Sequence, residues 1–549
     1  MANCILVSDP GYVVSICNFA ADNGLANLAG SLMNAGHNVR IFDYANAEDS
    51  FKLLPNNLGV EIGALNRRYV ESMIKGAPDA SLEREIRRLM DELEIIRKDI
   101  AKARGEELSD YVRENKVDFV GFKLWTGEGF DNSIIEAEEI RRSNPNIKII
   151  GGGPHVAWFV EKILEYTNAF DAVSYGEGEE VIRMYVDYTL GKLRLGDIPN
   201  TLYRDQDRIR RTEQRLVQDL DAEVHPVYSP SIYLAMDNNK KLKMILVDES
   251  RGCPYSCNFC IHPLKSGKIQ RSRNPAKVVD FIEYLVDDGI TKVFRLAGSN
   301  TPHKLKLEIA DEIMNRGLDV VYTAFSDLRG KAIKPEDFKK LYASGCYSLF
   351  FGIESGSHEL LDKAVNKKVK IEDIVRIIRD CNDAGVEAVG SIIYPLPGET
   401  EKTRKETEDL ILNKIKLASV CFSFPGLVKG TRWGRNPEKF GIESEVSDLF
   451  MELMHYKIKL LFPPTLWQPL PYKINGKRFD EYAKDAESLL NKFERAGILT
   501  NAPDEMVMIA HLIGMNPREL RDRTRRAIAT GDKAEVQDLI GKMNRCMKP

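Results

Sequence analysis

The feature that most constrains the fold is a regular alternation of short apolar runs and amphipathic segments between residues 244 and 393. Parallel strands need long crossover connections, which are usually helices, so this order predicts a parallel sheet flanked by helices. The arrangement is typical of a partial (β/α) barrel of the TIM type. The predicted strands are residues 244–248, 292–296, 320–325, 347–352 and 387–393, and the predicted helices are residues 275–288, 303–316, 335–343, 358–363 and 371–384.

The first 190 residues contain a second region of strand–helix alternation. An apolar run at residues 5–7 is followed by a segment with Leu25, Leu28 and Leu32 at helical spacing and then by an apolar run at residues 39–42. This opening βαβ unit predicts an α/β, Rossmann-like, doubly wound parallel sheet. Further strands are predicted at residues 119–122, 147–150 and 172–175.

Glycines follow two of these strands. Gly151, Gly152 and Gly153 come after one strand, and Gly176 comes after the next. Glycine allows tight turns and a close approach of the backbone to a ligand. Ligands of open parallel sheets bind outside the carboxyl ends of the strands. The four glycines therefore predict a ligand at this edge.

Four regions are predicted along the chain: the Rossmann-like domain at 1–190 with a helical insertion near 80–110, a linker at 191–240, the barrel at 241–434, and a mostly helical region at 435–549. The insertion carries a heptad stripe, for which packing within its own domain is the main interpretation and a dimer seam the alternative. The stripe consists of Leu82, Ile86, Leu89, Leu93, Ile96 and Ile100.

Composition excludes several classes of protein. The net charge of −4 over 549 residues argues against nucleic-acid binding, which needs a basic excess or patch. No run reaches the ~18 apolar residues of a membrane span, and the first residues lack the pattern of a signal peptide. Nine scattered cysteines do not form a disulfide framework. We therefore expect a cytoplasmic protein.

Cys253, Cys257 and Cys260 follow the first barrel strand with the spacing C-x3-C-x2-C. Structural zinc takes four ligands, usually from two paired motifs, and only His262 lies near these cysteines. A 4Fe–4S cluster normally takes four thiolates, so three would leave one iron open to a substrate or cofactor. Zinc and plain structural thiols remain the alternatives.

With Phe259 before Cys260, the cysteine motif resembles that of the radical SAM superfamily. Several other segments resemble the subgroup of this superfamily that has an N-terminal cobalamin-binding domain, and the resemblance covers residues 1–435. These segments are GLANLAGSLMNAGHNVRIFD near the N-terminus, GGGPH at 151–155, YGEGEE at 175–180, RSRNPAKVV at 271–279, GIESGS at 352–357, YPLPGET at 394–400 and PGLVKGT at 425–431.

The resemblance implies a 4Fe–4S cluster on the three cysteines, whose open iron binds S-adenosylmethionine and yields a 5′-deoxyadenosyl radical. It implies that Phe259 packs beside the adenine and that Glu354 and Ser355 contact the ribose; capping of the next helix is the alternative for Glu354. Residues from Ile392 to Glu399 match the stretch near the adenine. The acid that family members often carry after the second strand is absent, which leaves the contact with the methionine amine to backbone carbonyls, Ser299 or Asn300.

The resemblance also implies cobalamin. The D-x-H-x-x-G motif that places a histidine below cobalt is absent, as it commonly is in the radical SAM relatives. His37 is expected to be a surface or capping residue, whereas His155 follows the glycines and is either structural or in contact with the corrin. A domain that has lost cobalamin is the alternative.

The resemblance implies methylation of an unactivated carbon, because a methyl group on cobalt can pass to a carbon radical. Ring closure, oxidation or carbon–carbon coupling with the same cofactors is the alternative, and a cobalamin sensor without turnover is a third hypothesis. The expected partners are a flavodoxin- or ferredoxin-type reductant and a substrate that is a small molecule, tetrapyrrole, lipid or peptide. Three aromatic residues are candidates for the lining of a substrate pocket, and packing in the core is the alternative for them. They are Trp433, Phe462 and Trp467.

Overall fold

The computed structural model describes residues 1–74, 79–329, 333–457 and 464–549. Its N-terminal part is a seven-stranded sheet with the order β2-β1-β3-β4-β5-β6-β7. β1 to β5 are parallel, which confirms the predicted Rossmann-like sheet. The strands are β1 (Asn3–Ser8), β2 (Asn38–Asp43), β3 (Phe119–Lys123), β4 (Lys148–Gly152), β5 (Ala172–Ser174), β6 (Thr201–Asp205) and β7 (Arg208–Arg211).

The hairpin of β6 and β7 pairs antiparallel with β5 and extends the sheet. It lies in residues 191–240, for which the sequence predicts only a linker. The signal is weak because β7 reads RIRR, a strand with mostly exposed side chains. An exposed, charged edge strand lacks the hydrophobic alternation by which strands are recognised.

Helices cover both faces of this sheet. In the insertion, Leu89 and Leu93 of α3 pack against Leu58 and Ile62 of α2, so the heptad stripe is used within the chain. The helices are α1 (Asn23–Asn34), α2 (Asn56–Ile74), α3 (Ala80–Glu114), α4 (Glu128–Ser143), α5 (Val156–Phe159), α6 (Glu161–Tyr166) and α7 (Glu179–Thr189).

The second sheet has six parallel strands in the order β15-β14-β13-β12-β11-β8. This confirms the partial barrel, and the five predicted strands all appear; β15 was not among them. A short pair, β9 with β10, lies beside the first strand. The strands are β8 (Ile245–Val247), β9 (Ser250–Arg251), β10 (Arg271–Ser272), β11 (Val293–Leu296), β12 (Val321–Ser326), β13 (Cys346–Glu354), β14 (Glu387–Ile393) and β15 (Ser419–Ser423).

Helices alternate with these strands as predicted, except that the segment after β13 is a short α-helix continued by a π-helical turn at Leu361–Val365. Within the described residues, no helix combines the length and apolar character that a membrane crossing requires. The helices are α8 (His262–Lys265), α9 (Pro275–Asp287), α10 (His303–Arg316), α11 (Pro335–Ala343), α12 (His358–Leu360), α13 (Ile371–Asp383), α14 (Glu401–Asp409) and α15 (Arg432–Arg435).

The C-terminal region packs against the barrel sheet. Its helix α18 contacts β12, β13 and β14, and Asp504 at its start accepts hydrogen bonds from Thr323 (2.5 Å) and Arg295 (3.1 Å). The region therefore closes part of the open sheet. Its elements are α16 (Leu449–Met454), α17 (Phe479–Arg495), α18 (Asp504–Leu512), α19 (Pro517–Ala529), α20 (Lys533–Met547), β16 (Ile442–Ser444) and β17 (Tyr472–Ile474).

Candidate active site at the facing edges of the two sheets

The loop with the three cysteines follows β9 directly. Gly252 has φ = +85°, and a Cβ there would lie 2.2 Å from the carbonyl oxygen of Ile269, so only glycine fits. The amide of Cys253 donates to the carbonyl oxygen of Gly267 at 3.1 Å, and the amide of Cys260 donates to that of Cys257 at 3.2 Å. The backbone thus fixes the start of the loop and turns its end back on itself.

Asn258 anchors the middle of this loop. Its backbone amide donates to Val365 O (2.9 Å) and its side chain to Ala364 O (2.9 Å), both after β13. Trp433 donates from its ring nitrogen to the same Ala364 oxygen at 3.0 Å. Phe259 lies beside the Trp433 ring, with centroids 5.6 Å apart. Of the other predicted pocket aromatics, Trp467 packs on Phe424, and Phe462 lies outside the described residues.

The three thiols lie in a region that disfavours their charged form. Burial raises the pKa of Cys253 and Cys257, and it raises that of Cys260 to about 12. Arg329 and Lys367 act in the opposite direction on Cys253 and Cys257. Such thiols are poor free nucleophiles, and they would release their protons when they bind metal.

The number of thiols bears on the kind of metal. Structural zinc takes four protein ligands, usually from paired motifs. A 4Fe–4S cluster held by three thiolates keeps one iron open to another ligand. The donor set of three cysteines on one loop therefore fits a cluster. Among the described residues, no group of three or more His, Cys, Asp or Glu side chains is arranged to hold a single metal ion.

Two ion pairs lie at the barrel mouth near the cysteines. Glu354 accepts a 2.9 Å hydrogen bond from Lys367, and Asp327 accepts one of 2.9 Å from Arg329. The Arg329 guanidinium lies 3.2 Å from the centroid of the Tyr255 ring. Glu354 has φ = +64°, an unfavourable backbone conformation for a non-glycine residue. Such strain is often found at functional sites.

Glu249, which the sequence did not single out, is fully buried between β8 and the cysteine loop. It accepts hydrogen bonds from the amide of Gly298 (3.0 Å) and the hydroxyl of Thr301 (2.6 Å). Burial raises its pKa to about 7. The loop that carries Ser299 and Asn300 is therefore held by an acid from the neighbouring strand end. The available signal was its position: an acidic residue directly after a buried strand at the ligand-binding edge.

The remaining predicted contacts with S-adenosylmethionine are buried or have hydrogen-bond partners within the barrel domain. The hydroxyl of Ser355 pairs with that of Thr407 at 3.2 Å. Ile392 is fully buried in β14. Glu399 accepts from the hydroxyl of Thr403 (2.6 Å) at the start of α14. This placement favours structural roles for Ser355 and Glu399.

A cleft of about 340 Å³ lies between the two sheets. All four predicted glycines line it from the N-terminal sheet, and Ser299 lines it from the barrel. His262 and Lys265, which directly follow the cysteine loop, line it as well. One cleft thus borders both the glycine edge and the cluster loop.

The lining of this cleft fits a corrin. Ser174 Oγ, His262 Nδ1 and Glu179 Oε2 are buried without a hydrogen-bond partner among the described residues, so polar groups are available to its amide-rich edge. Gly153 has φ = +114° and brings bare backbone to the surface of the cleft. The cleft also has apolar lining, which suits an aromatic tail. Its apolar lining residues include Leu6, Leu25, Leu28, Ile150, Val181 and Ile182.

A second cavity of about 430 Å³ shares Asn23, Gly24 and Lys123 with the first. His155 lines it, stacks on Trp158 with ring centroids 4.3 Å apart, and is kept neutral because burial lowers its pKa to about 4. His37 lies at the opposite, amino-terminal end of the strands, where its Nδ1 accepts from the amide of Ala2.

Comparison with known proteins identifies two domains. The family model of the radical SAM superfamily matches residues 250–411, and the model of the B12 binding domain matches residues 65–185. An uncharacterized methyltransferase of Pyrococcus horikoshii is 28% identical over 392 residues, 70% of this chain and 80% of that protein. The anaerobic magnesium-protoporphyrin IX monomethyl ester cyclase of Rubrivivax gelatinosus is 30% identical over 54% of this chain, which spans only 55% of that relative.

Solved structures share the fold. The radical S-adenosylmethionine methyltransferase TsrM of Kitasatospora setae, with cobalamin and a [4Fe-4S] cluster bound, matches 97% of this chain and 100% of its own (TM-score 0.64, 16% identity). The cobalamin-dependent radical enzyme OxsB, with aqua-cobalamin and S-adenosylmethionine bound, matches 91% of this chain and 62% of its own (TM-score 0.56, 14% identity). The chain is a radical SAM enzyme with a B12-binding domain, and its cofactors are a 4Fe–4S cluster, S-adenosylmethionine and cobalamin.

Proposed function

We propose that this enzyme transfers a methyl group to an unactivated carbon atom. The observation that carries the proposal is the shared cleft, which Gly151 and Gly176 line from one sheet and His262 lines directly after the cysteine loop. A radical formed at the barrel mouth and a methyl group carried on the glycine edge would therefore meet in one space. The methyltransferase of Pyrococcus horikoshii, as it is named, supports this outcome.

When bound, the cluster and S-adenosylmethionine supply the 5′-deoxyadenosyl radical, and the cobalamin supplies the methyl group. Cys253, Cys257 and Cys260 hold the cluster. The cations Arg329 and Lys367 lie close enough to favour the thiolate form of Cys253 and Cys257.

The remaining groups at the mouth orient S-adenosylmethionine. Glu249 fixes the loop of Ser299 and Asn300, so that polar groups of this loop, which borders the cleft at Ser299, can accept from the methionine amine. Lys367 holds Glu354 in the orientation in which it would contact the ribose, and Phe259 would pack beside the adenine. Because both sheets present carboxyl strand ends to the cleft, the reacting atoms are held between two rigid scaffolds.

Two half-reactions test the proposal without knowledge of the substrate. The protein is reconstituted anaerobically with iron, sulfide and hydroxocobalamin, reduced by a flavodoxin-type donor or dithionite, and given S-adenosylmethionine labelled in its methyl group. We expect 5′-deoxyadenosine, and we expect S-adenosylhomocysteine together with label on the bound corrin. Deoxyadenosine formation with no label on the corrin would refute methyl transfer.

The second candidate function is oxidative ring closure or carbon–carbon coupling with the same cofactors. The 30% identity to the magnesium-protoporphyrin cyclase favours it. It requires 5′-deoxyadenosine without S-adenosylhomocysteine, which the same experiment measures. A tetrapyrrole is the substrate to try first under this candidate; a small molecule, lipid or peptide substrate is compatible with either.

A further inference from the structure

The acidic segment after β5 meets arginines outside its own strand. Glu177 accepts two hydrogen bonds from Arg271, at 2.6 and 2.9 Å, and Glu179 accepts one from Arg251 at 2.6 Å. All four side chains are largely buried. Arg251 and Arg271 face each other across the short β9–β10 pair of the barrel. These ion pairs therefore connect the B12-binding domain to the β9–β10 strand pair of the barrel.

These arginines flank the chain segment that carries the cysteines. Arg251 lies two residues before Cys253 and is also held by Asp248 (2.6 Å). Arg271 donates to Ser266 O (2.8 Å), and the next residue, Gly267, accepts from the amide of Cys253. A displacement of Glu179 would reach the cluster loop through its one hydrogen bond with Arg251, and a displacement of Glu177 would reach it through Arg271 and the segment of Ser266 and Gly267.

Only one of the two carboxylate oxygens of Glu179 has a hydrogen-bond partner among the described residues. Oε1 accepts from Arg251, whereas Oε2 has no hydrogen-bond partner among the described residues. The residue is 6% exposed and lines the cleft beside the glycine edge. Burial alone would raise its pKa, but the charge of Arg251 holds the pKa below its ordinary value, so the group is ionised. A buried, unpaired anionic oxygen needs a hydrogen-bond donor, and because Glu179 lines the cleft a ligand bound there can supply it.

We propose that Glu179 is a positioning residue that joins the two cofactor sites, with Oε1 on Arg251 and Oε2 accepting from a carboxamide N–H at the corrin edge. The periphery of cobalamin carries neutral carboxamides, which are suitable donors to a carboxylate. The inference rests on the cobalamin site of the proposed function, but it does not depend on whether methyl transfer follows.

The link makes the two sites mutually dependent. A cluster that orders the cysteine loop also fixes Arg251, which holds Glu179 in the orientation that the corrin needs, so less freedom is lost on binding. Coupling of this kind is reciprocal: if the cluster tightens cobalamin binding, cobalamin retains the cluster by the same factor.

The test compares hydroxocobalamin binding to the full-length protein with and without its reconstituted cluster. We expect the dissociation constant of the wild type to be lower with the cluster by roughly fivefold or more. In Glu179→Gln with the cluster present, the affinity for hydroxocobalamin falls by about tenfold. The ratio of the dissociation constants without and with the cluster approaches one in this variant. The converse measurement is the rate of iron loss to a chelator, which hydroxocobalamin slows in the wild type and not in the variant.

Glu180→Gln is the matched control, because Glu180 belongs to the same segment but pairs with Arg215 and is not among the residues that line the cleft. Glu180→Gln should bind hydroxocobalamin with wild-type affinity, and the cluster should raise that affinity as it does in the wild type. Arg251→Lys is a second variant, which keeps the positive charge but loses the guanidinium geometry. We expect it to lower the effect of the cluster on hydroxocobalamin binding. Its affinity for hydroxocobalamin without the cluster should stay within about twofold of wild type. Circular dichroism of each variant verifies folding.

Wild-type binding that is equal with and without the cluster, or Glu179→Gln binding that equals wild type, overturns the inference. Either result leaves the methyl-label experiment unaffected, so the two failures are distinguishable. A wild type that binds no hydroxocobalamin overturns both. If the cluster tightens cobalamin binding but no methyl label reaches the corrin, the result supports the role of Glu179 and rejects methyl transfer.

Discussion

Lys367 donates a 2.9 Å hydrogen bond to Glu354 at the barrel mouth, and both side chains are only 8% exposed. Removing one partner of a buried ion pair leaves an uncompensated charge. We expect Lys367→Met to lower the free energy of unfolding of the cluster-free protein by about 3 kcal/mol, measured by urea titration.

Lys363→Met is the control for this variant. Lys363 forms an exposed pair with Glu359 in the preceding helical turn, and water screens such pairs so that they add little to stability. Equal losses for the two variants would show that the Glu354 charge finds another partner.

Replacement of Cys253, Cys257 or Cys260 by alanine should abolish the cluster and all formation of 5′-deoxyadenosine. Each thiolate of a three-cysteine site binds its own iron, so the loss of one cysteine leaves that iron without its protein ligand. Iron content and the visible absorbance of the reconstituted protein measure the effect. A Cys257→Ala variant with a complete, active 4Fe–4S cluster would contradict the assignment.

The matched controls are cysteines away from the mouth. Cys346 and Cys381 are buried within the barrel core, and Cys421 faces the C-terminal region, where its thiol lies 3.6 Å from Ala502 O. Their replacement by alanine should leave cluster content unchanged. The structural cost is that of a small buried side chain, about 1 kcal/mol.

Glu249 should make stability depend on pH. Because burial raises its pKa from 4.5 to about 7, the folded protein binds this proton more tightly than the unfolded chain. Its contribution is thus fully present below pH 4.5 and is lost as the pH rises to about 7, at about 1.4 kcal/mol per unit of pKa shift. The difference in unfolding free energy between wild type and Glu249→Gln, measured from pH 4.5 to 8 on cluster-free protein, should show this loss. A difference that is flat with pH would contradict it.

The fold was predictable where hydrophobic pattern alone decides it. β14 is apolar and its bounds, Glu387–Ile393, agree with prediction, whereas the charged β7 was missed because its pairing depends on the sheet edge and not on its own side chains. The cysteines and glycines of the candidate site were predicted from local spacing, and their ligand contacts stay predictions. Glu249 and the Glu179–Arg251 pair were not, since their roles depend on residues 49 or more positions away in the sequence.

The last prediction is that no protein histidine ligates cobalt and that the dimethylbenzimidazole tail is displaced from the metal. His37 lies at the far end of the sheet, against Ala2, and the apolar residues that line the cleft offer a place for the tail. A weaker lower ligand makes the lower-valent states of cobalt easier to reach, which suits methyl transfer to a radical. Electron paramagnetic resonance of the Co(II) form should therefore show no superhyperfine splitting that changes when the histidines carry nitrogen-15. His37→Ala should leave the spectrum unchanged, and a splitting that disappears in His155→Ala would refute the prediction.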